Sequence, residues 1–84
     1  MEYKVLVRLI VPEIEKIFDV YIPVNKSVGQ VMSILNKAVH SETNFVFPLK
    51  KSLRLINKKT FQVYEQSLLI RKTDIKNGTE LILI

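Results

Sequence analysis

The first part of the chain alternates hydrophobic and polar positions in the manner of two β-strands. Over Tyr3–Pro12 the odd-numbered positions are apolar, whereas both charged residues, Lys4 and Arg8, occupy even-numbered positions. The odd set is therefore predicted to face the core, and Pro12 ends the strand because it has no N–H to donate. A second strand is predicted over Ile17–Val24, and the short link between the two predicts an antiparallel hairpin. The residues predicted to form the inner face of this second strand are Phe18, Val20, Ile22 and Val24.

The period then changes to that of an amphipathic helix. Ser27 and Gln30 have the spacing of a capping box, in which each side chain bonds the backbone N–H of the other residue. Asn36 and Lys37 fall on the side predicted to face solvent, and the helix is expected to fray over His40–Glu42. The apolar positions that define the buried side of this helix are Val28, Val31, Met32, Leu35, Ala38 and Val39.

A loop and two short strands are predicted after the helix. Thr43–Lys51 has loop composition, with Phe45 and Phe47 as apolar anchors. Ser52–Asn57 alternates as a third strand, and Phe61–Tyr64 is predicted to form a fourth.

The last part of the chain predicts a helical turn, a tight turn and a final strand. The helical turn is expected in Ser67–Asp74, with Leu68 and Leu69 pointing inward. Lys76–Thr79 contains Asn-Gly, which readily adopts positive φ and predicts a turn. Glu80–Ile84 then reads as the last strand.

The resulting order, β-β-α-β-β-β, has few compact solutions. The helix must cover one face of a mixed sheet to bury its apolar side. If the last strand pairs with the first, the two lie side by side and parallel in the middle of the sheet. The pattern therefore predicts an α+β fold of the β-grasp type, with four to five strands packed on one helix.

Composition limits the class of protein. The chain has 84 residues and is predicted to form one domain, residues 1–84. Cysteine is absent, which excludes disulfide frameworks, zinc ribbons and thiol nucleophiles. No apolar run approaches the roughly 20 residues that span a bilayer. The segment Met1–Lys4 lacks the basic start of a signal peptide, so a cytoplasmic protein without a transmembrane segment is expected.

The net charge of +5 is concentrated in one part of the sequence. Residues 1–49 carry five basic and five acidic residues, whereas residues 50–76 carry eight basic and two acidic ones. Such a basic half could face an acidic protein, a nucleic acid or an anionic membrane. It could equally be a solvated lysine surface that keeps the protein in solution.

Residues that could support catalysis are few. His40 is the only histidine, and its place near a helix end favours a structural role over that of a base or metal ligand. Its sequence neighbours Ser41 and Glu42 are too close along the chain to form a catalytic triad. Glu13 and Glu15 fit a hairpin link better than a carboxylate pair. The sequence therefore predicts a protein that is not an enzyme, with no catalytic residue, metal ligand or cofactor.

The face of the sheet opposite the helix is the predicted interaction site. Outward-facing residues of the first, third and last strands would form an apolar patch rimmed by two arginines, and contiguous exposed apolar area usually marks a binding surface. The alternative is ordinary β-propensity on a solvent-facing sheet. The six residues predicted to bind a protein partner are Leu6, Arg8, Ile10, Arg54, Ile56 and Ile82.

Over its whole length the sequence resembles the ubiquitin-like superfamily. Leu53–Phe61 is similar to the third strand and following turn of these domains, and Lys72–Leu81 to the approach to their last strand. Within the superfamily, Phe18–Val20 and Leu55–Lys58 are most similar to the small bacterial accessory proteins of type VII (ESX-like) secretion systems, the YukD/EsaB type. The resemblance implies a protein-interaction module whose partners are components of the secretion apparatus.

The resemblance also implies that the chain is not conjugated to other proteins. Conjugating relatives end in a flexible tail that closes on Gly-Gly, whereas this sequence closes on Leu81–Ile84 and has only Gly29 and Gly78. One alternative function remains open, a small basic β-grasp domain that binds nucleic acid with Phe61 and Tyr64 available for stacking.

Overall fold

The structure is a computed structural model that describes residues 3–84. Met1 and Glu2, part of the segment used to argue against a signal peptide, lie outside the described residues. The described residues form four strands and one α-helix: β1 (Lys4–Val11), β2 (Lys16–Pro23), α1 (Val28–Glu42), β3 (Leu55–Asn57) and β4 (Glu80–Leu83). The sheet order is β2-β1-β4-β3, with β1 antiparallel to β2 and parallel to β4, and β3 antiparallel to β4. The predicted β-grasp arrangement is confirmed.

The hairpin forms as predicted, and its inner face enters the core. Val7, Leu9 and Val11 are buried, while Tyr3, at the start of the pattern, is exposed. Pro12 begins a short 3-10 turn that ends on Glu15, whose φ of 53° reverses the chain into β2. This turn places the two strands in register over all eight residues of each.

The helix begins at the predicted capping box. The backbone N–H of Gln30 donates to Ser27 Oγ at 3.1 Å, and the N–H of Ser27 donates to Gln30 Oε1 at 2.9 Å. The helix ends at Glu42, within the stretch His40–Glu42 over which it was expected to fray. Thr43 secures this last turn, since its backbone N–H and its hydroxyl both donate to Val39 O. Ala38, predicted to be buried, is exposed.

Asn36 was predicted to face solvent but is 4% exposed. Its Nδ2 donates to Pro48 O at 3.0 Å, and its Oδ1 accepts from the backbone N–H of Lys50 at 2.7 Å. A buried amide is tolerated when its polar atoms are paired. Asn36 therefore fastens the following loop to the helix.

Only one of the two predicted loop anchors is buried. Phe47 is fully buried, whereas Phe45 is 70% exposed and contacts the His40 ring in a tilted arrangement, with ring centroids 4.8 Å apart. Positions two apart share a face only in extended backbone, and Asn44 and Phe45 both have positive φ, so the chain turns between the two phenylalanines.

The third strand is shorter than predicted, and the predicted fourth strand over Phe61–Tyr64 does not form. A tight loop, in which the N–H of Phe61 donates to Asn57 O, returns the chain beside β3. The returning segment makes a single β-bridge, between Ile56 and Val63. The positive φ of Phe61 prevents a longer ladder.

The predicted helical turn is present as a 3-10 turn, Ile70–Lys72, but the residue it buries is Ile70. Leu68 is exposed and Leu69 half-buried, contrary to the prediction. The backbone is extended just before the turn, with Leu69 bridged to Ser27, so its side chains alternate instead of sharing one helical face.

The Asn-Gly turn before β4 forms as predicted and aligns β4 with β1. Gly78 has a φ of 89°, a conformation that favours glycine. Its N–H donates to Leu6 O, and the N–H of Arg8 donates to Thr79 O. Among residues 3–84, no helix has the length and apolar character needed to cross a membrane.

Candidate protein-binding face

The sheet face that points away from α1 carries a continuous line of isoleucines. The strand register places Ile10 opposite Ile17 on one side and opposite Ile82 on the other, and Ile82 opposite Ile56. Side chains of directly opposed residues lie on the same face about 5 Å apart. We call this line, which crosses all four strands, the isoleucine row: Ile17, Ile10, Ile82 and Ile56.

The isoleucine row is accessible within the described chain. Ile17 is 62% exposed, and the other three members are half-buried, so none belongs to the core. The row is extended beyond β3 by Val63, which is bridged to Ile56 and also exposed. The intervening residues of β1 and β4, such as Leu9 and Leu81, are buried together with residues of α1 in the hydrophobic core. The outer face therefore presents an apolar strip.

A second line of residues, with alternating charge, runs beside the isoleucine row. Arg8 lies opposite Asp19 and Glu80, and the backbone N–H of Lys58 donates to Glu80 O. Arg8 Nε is 3.4 Å from Asp19 Oδ1, and Lys58 Nζ is 3.9 Å from Glu80 Oε2. We call Asp19, Arg8, Glu80 and Lys58 the charged row. Its two positive and two negative groups cancel, so it gives directional polar contacts without a strong net field.

Beyond the charged row, Leu6 and Tyr21 lie opposite each other and border a groove. The turn that contains Asn77 forms its other side, because Asn77 Oδ1 accepts from the N–H of Leu6 at 2.7 Å. Tyr21 is 67% exposed. Tyrosine is one of the residue types that are enriched where proteins bind proteins.

Arg54 stands at the opposite border of the isoleucine row. Its backbone N–H and C=O pair with Ile84, in register with the pairing of Ile56 and Ile82, which places its side chain on the same face. Arg54 is exposed and forms no ion pair with any of residues 3–84. The structure thus brings together on one face all six residues predicted from the sequence: Leu6, Arg8, Ile10, Arg54, Ile56 and Ile82. Their part in binding stays a prediction.

Several residues of this face were missed in the sequence. Ile17, Asp19 and Tyr21 belong to it because β2 pairs with β1 over its full length. The sequence did contain a signal for these residues, because the odd positions of β2 alternate with the even positions that face the core. Val63 could not be found, because its place depends on the loop between Asn57 and Gln62.

Two residues that were considered for catalysis, His40 and Glu13, make structural contacts. His40 Nδ1 and Phe47 O are hydrogen-bonded at 2.7 Å, so the histidine fixes the loop after α1. Glu13 accepts from the ammonium group of Lys50. Among residues 3–84 no group of three or more His, Cys, Asp or Glu residues is placed to hold a metal ion.

Tyr64, predicted to be available for stacking on nucleic-acid bases, is 4% exposed. Its hydroxyl donates to Asp74 Oδ1 and accepts from Asn57 Nδ2. Burial, together with the hydrogen bond to Asp74, raises the pKa of Tyr64 to about 12. Of the two aromatic residues proposed for stacking, only Phe61 is exposed, which weakens the nucleic-acid alternative.

No protein-family model matches the sequence, and no curated protein matches it. Solved structures do resemble it. A chain of a MycP5-free ESX-5 inner membrane complex has a TM-score of 0.79 and 18% identity, over 96% of this chain and 20% of that chain. The EccD5 ubiquitin-like domain from Mycobacterium xenopi has a TM-score of 0.77 and 14% identity, over 96% of this chain and 92% of that chain.

A third similar structure comes from a complex of toluene 4-monooxygenase with the inhibitor 4-bromobenzoate, with a TM-score of 0.76 and 15% identity over 95% of each chain. At these identities the likeness concerns the fold. The strand order, the parallel pairing of β1 with β4 and the similarity to a ubiquitin-like domain agree with one another. The chain has the ubiquitin-like β-grasp fold.

Proposed function

We propose that the chain is a non-enzymatic protein-interaction module that docks its outer sheet face on a protein partner. The observation that carries the proposal is the isoleucine row, an apolar strip that crosses the whole sheet and remains accessible. Aliphatic side chains in such a strip lose contact with water when a partner covers them, which favours association. The charged row beside it would orient the partner.

The proposed setting is a bacterial type VII secretion system, in which the chain would act as an accessory or adaptor component in the cytoplasm. Two observations support this setting. The sequence resembles the YukD/EsaB type of protein, and the fold is similar to a chain of an ESX-5 inner membrane complex and to the EccD5 ubiquitin-like domain. The partners would then be proteins of the secretion apparatus.

The proposed interaction is non-covalent. The chain would bind through its folded surface and would not be attached to its partner through its terminus. Denaturing electrophoresis of the protein from the cells that produce it tests this part directly. Adducts that carry the chain and survive denaturation would contradict the non-covalent mode.

Affinity capture with outer-face variants tests the proposed surface. The tagged chain is used as bait in extract from the cells that produce it, and retained proteins are quantified by mass spectrometry. Ile56→Ser and the milder Ile17→Ser should both reduce capture of secretion-apparatus proteins. Ile34→Ser is the matched control, because Ile34 is 45% exposed but lies on α1.

Circular dichroism and thermal unfolding would show that each variant remains folded. Equal capture by the wild type and by both outer-face variants would contradict docking through the isoleucine row. If those variants lose capture but the proteins that the wild type retains are unrelated to secretion, the outer face would still be supported as the binding surface. The proposed setting would then be contradicted.

A further inference from the structure

A groove lies on the helix side of the molecule, between α1 and residues 49–53, away from the isoleucine row. Three lysines line it, Lys37 on the helix and Lys50 and Lys51 on the facing segment. Ser33 and Gln66 add polar side chains to its walls. No Asp or Glu among residues 3–84 lines this groove. Its polar lining therefore favours an anionic ligand.

Two of the three lysines are free to bind a ligand. Lys50 is engaged, because its ammonium group bonds Glu13 and lies 5.1 Å from the centre of the Phe47 ring. Lys37 and Lys51 are exposed and form no ion pair with any of residues 3–84. Their positive charges are thus uncompensated by the described part of the chain.

Asn36 holds the two sides of the groove at a fixed separation. Its buried side chain accepts from the N–H of Lys50 and donates to Pro48 O. Lys37 directly follows Asn36 on the helix, and Lys51 directly follows Lys50 on the facing segment. Because the backbone is clamped before any ligand arrives, little ordering is needed on binding.

The groove also has an apolar part. Leu49 is 58% exposed at its border, beside the more buried Met32 and Leu53. Within the described residues 3–84, no aromatic side chain lines the groove, so nucleic-acid bases would have no ring there to stack on. A ligand that combines carboxylates with an aliphatic side chain would match both parts of the lining.

We propose that this groove is a second binding site, which receives an acidic peptide segment with an aliphatic side chain from a partner protein. Carboxylates of the segment would pair with Lys37 and Lys51, and its aliphatic group would pack on Leu49. The site is independent of the isoleucine row and goes beyond the function proposed above. With both sites, one copy of the chain could connect two proteins.

Fluorescence anisotropy with a labelled peptide, Asp-Glu-Leu-Asp-Glu-Leu, tests the proposal at low and moderate salt. The double variant K37Q/K51Q should weaken binding roughly fivefold or more, since it removes two ion pairs. K26Q/K72Q is the matched control, because it removes the same charge from exposed residues outside the groove. L49S should also weaken binding, and amide chemical shifts should change around the groove.

Four results would overturn the proposal. One is the absence of saturable binding at millimolar peptide. Another is an equal loss in K37Q/K51Q and K26Q/K72Q, which would mean attraction to overall charge alone. The third is equal binding of the neutral peptide in which Asn replaces each Asp and Gln replaces each Glu. The fourth is tighter binding of a single-stranded oligonucleotide. Ile56→Ser should leave peptide binding unchanged. The outcome of this test is therefore independent of the outcome of the outer-face test.

Discussion

The hydroxyl of Tyr64 donates a hydrogen bond to Asp74 Oδ1 at 2.6 Å, and this contact joins the segment beside β3 to the segment that leads into β4. Asn57, the last residue of β3, donates from Nδ2 to the same hydroxyl at 2.9 Å. Asn57 Oδ1 in turn accepts from the backbone N–H groups of Lys59 and Thr60. This network holds the irregular second half of the chain against the edge of the sheet.

The raised pKa of Tyr64 predicts a loss of stability at high pH. The pKa rises from 10.0 to about 12 in the folded state, so below pH 10 the hydroxyl is protonated in both states and its contribution is complete. As pH rises from 10 toward 12, the unfolded chain releases this proton first, and the free energy of unfolding falls. At pH 11 the loss should be about 1 kcal/mol.

Urea denaturation of the wild type and Tyr64→Phe at pH 8 and pH 11 measures the contribution of the Tyr64 hydroxyl to the free energy of unfolding. At pH 8 the variant should be about 1–2 kcal/mol less stable, since Asn57 and Asp74 lose their shared partner. The difference between the two proteins should shrink at pH 11, where other titrating groups affect both alike. A difference that is the same at both pH values would contradict a raised pKa.

Asn36 should be the most costly polar residue to replace in the helix. Asn36→Ala removes the partners of Pro48 O and of the Lys50 N–H, and each group left unpaired costs about 1–3 kcal/mol. Hydrogen exchange at the Lys50 amide should accelerate along with the loss of global stability. Ser33→Ala, at an exposed position of the same helix, is the control and should change little.

The capping box predicts a smaller, local effect at the start of α1. Ser27→Ala removes the acceptor of the Gln30 N–H and should cost about 1 kcal/mol, while Ser27→Gly should cost less. Chemical denaturation measures both variants. If Ser27→Ala is as stable as the wild type, the hydrogen bond between the two residues does not hold the helix end in solution.

The regular part of this fold could be predicted from the sequence, because alternation and helical spacing are patterns among residues that are close along the chain. Val7, Leu9 and Leu35 were assigned to the core by period alone, and all three are buried. The outer face followed from the same alternation, since Ile10 and Ile82 had to point away from the helix. Its extension to Ile17 needed the register between β1 and β2, which only the hairpin turn fixes.

The parts that were mispredicted depend on contacts distant in sequence or on unusual backbone. Asn36 is buried because two loop backbone groups, 12 and 14 residues away, pair with its side chain, and polarity alone suggested solvent. Phe45 and Phe61 have positive φ, which aromatic residues seldom adopt and periodicity does not reveal. The lysine-lined groove was also missed, because Asn36 brings its two sides together through contacts that are distant in sequence.

Leu35 and Ile34 offer a matched pair that measures how much the helix depends on its buried side. Leu35 is 3% exposed, whereas its neighbour Ile34 is 45% exposed on the same helix. Leu35→Ala should cost about 2–5 kcal/mol, because it removes buried methyl groups and leaves a cavity between α1 and the sheet. Ile34→Ala should change stability by less than about 1 kcal/mol, since the lost burial is small and alanine favours the helix. A domain of this size has a total free energy of unfolding of about 4–13 kcal/mol, so Leu35→Ala alone could unfold much of the protein. Urea denaturation of both variants decides the matter, and similar costs for the two would mean that α1 does not pack on the sheet through Leu35.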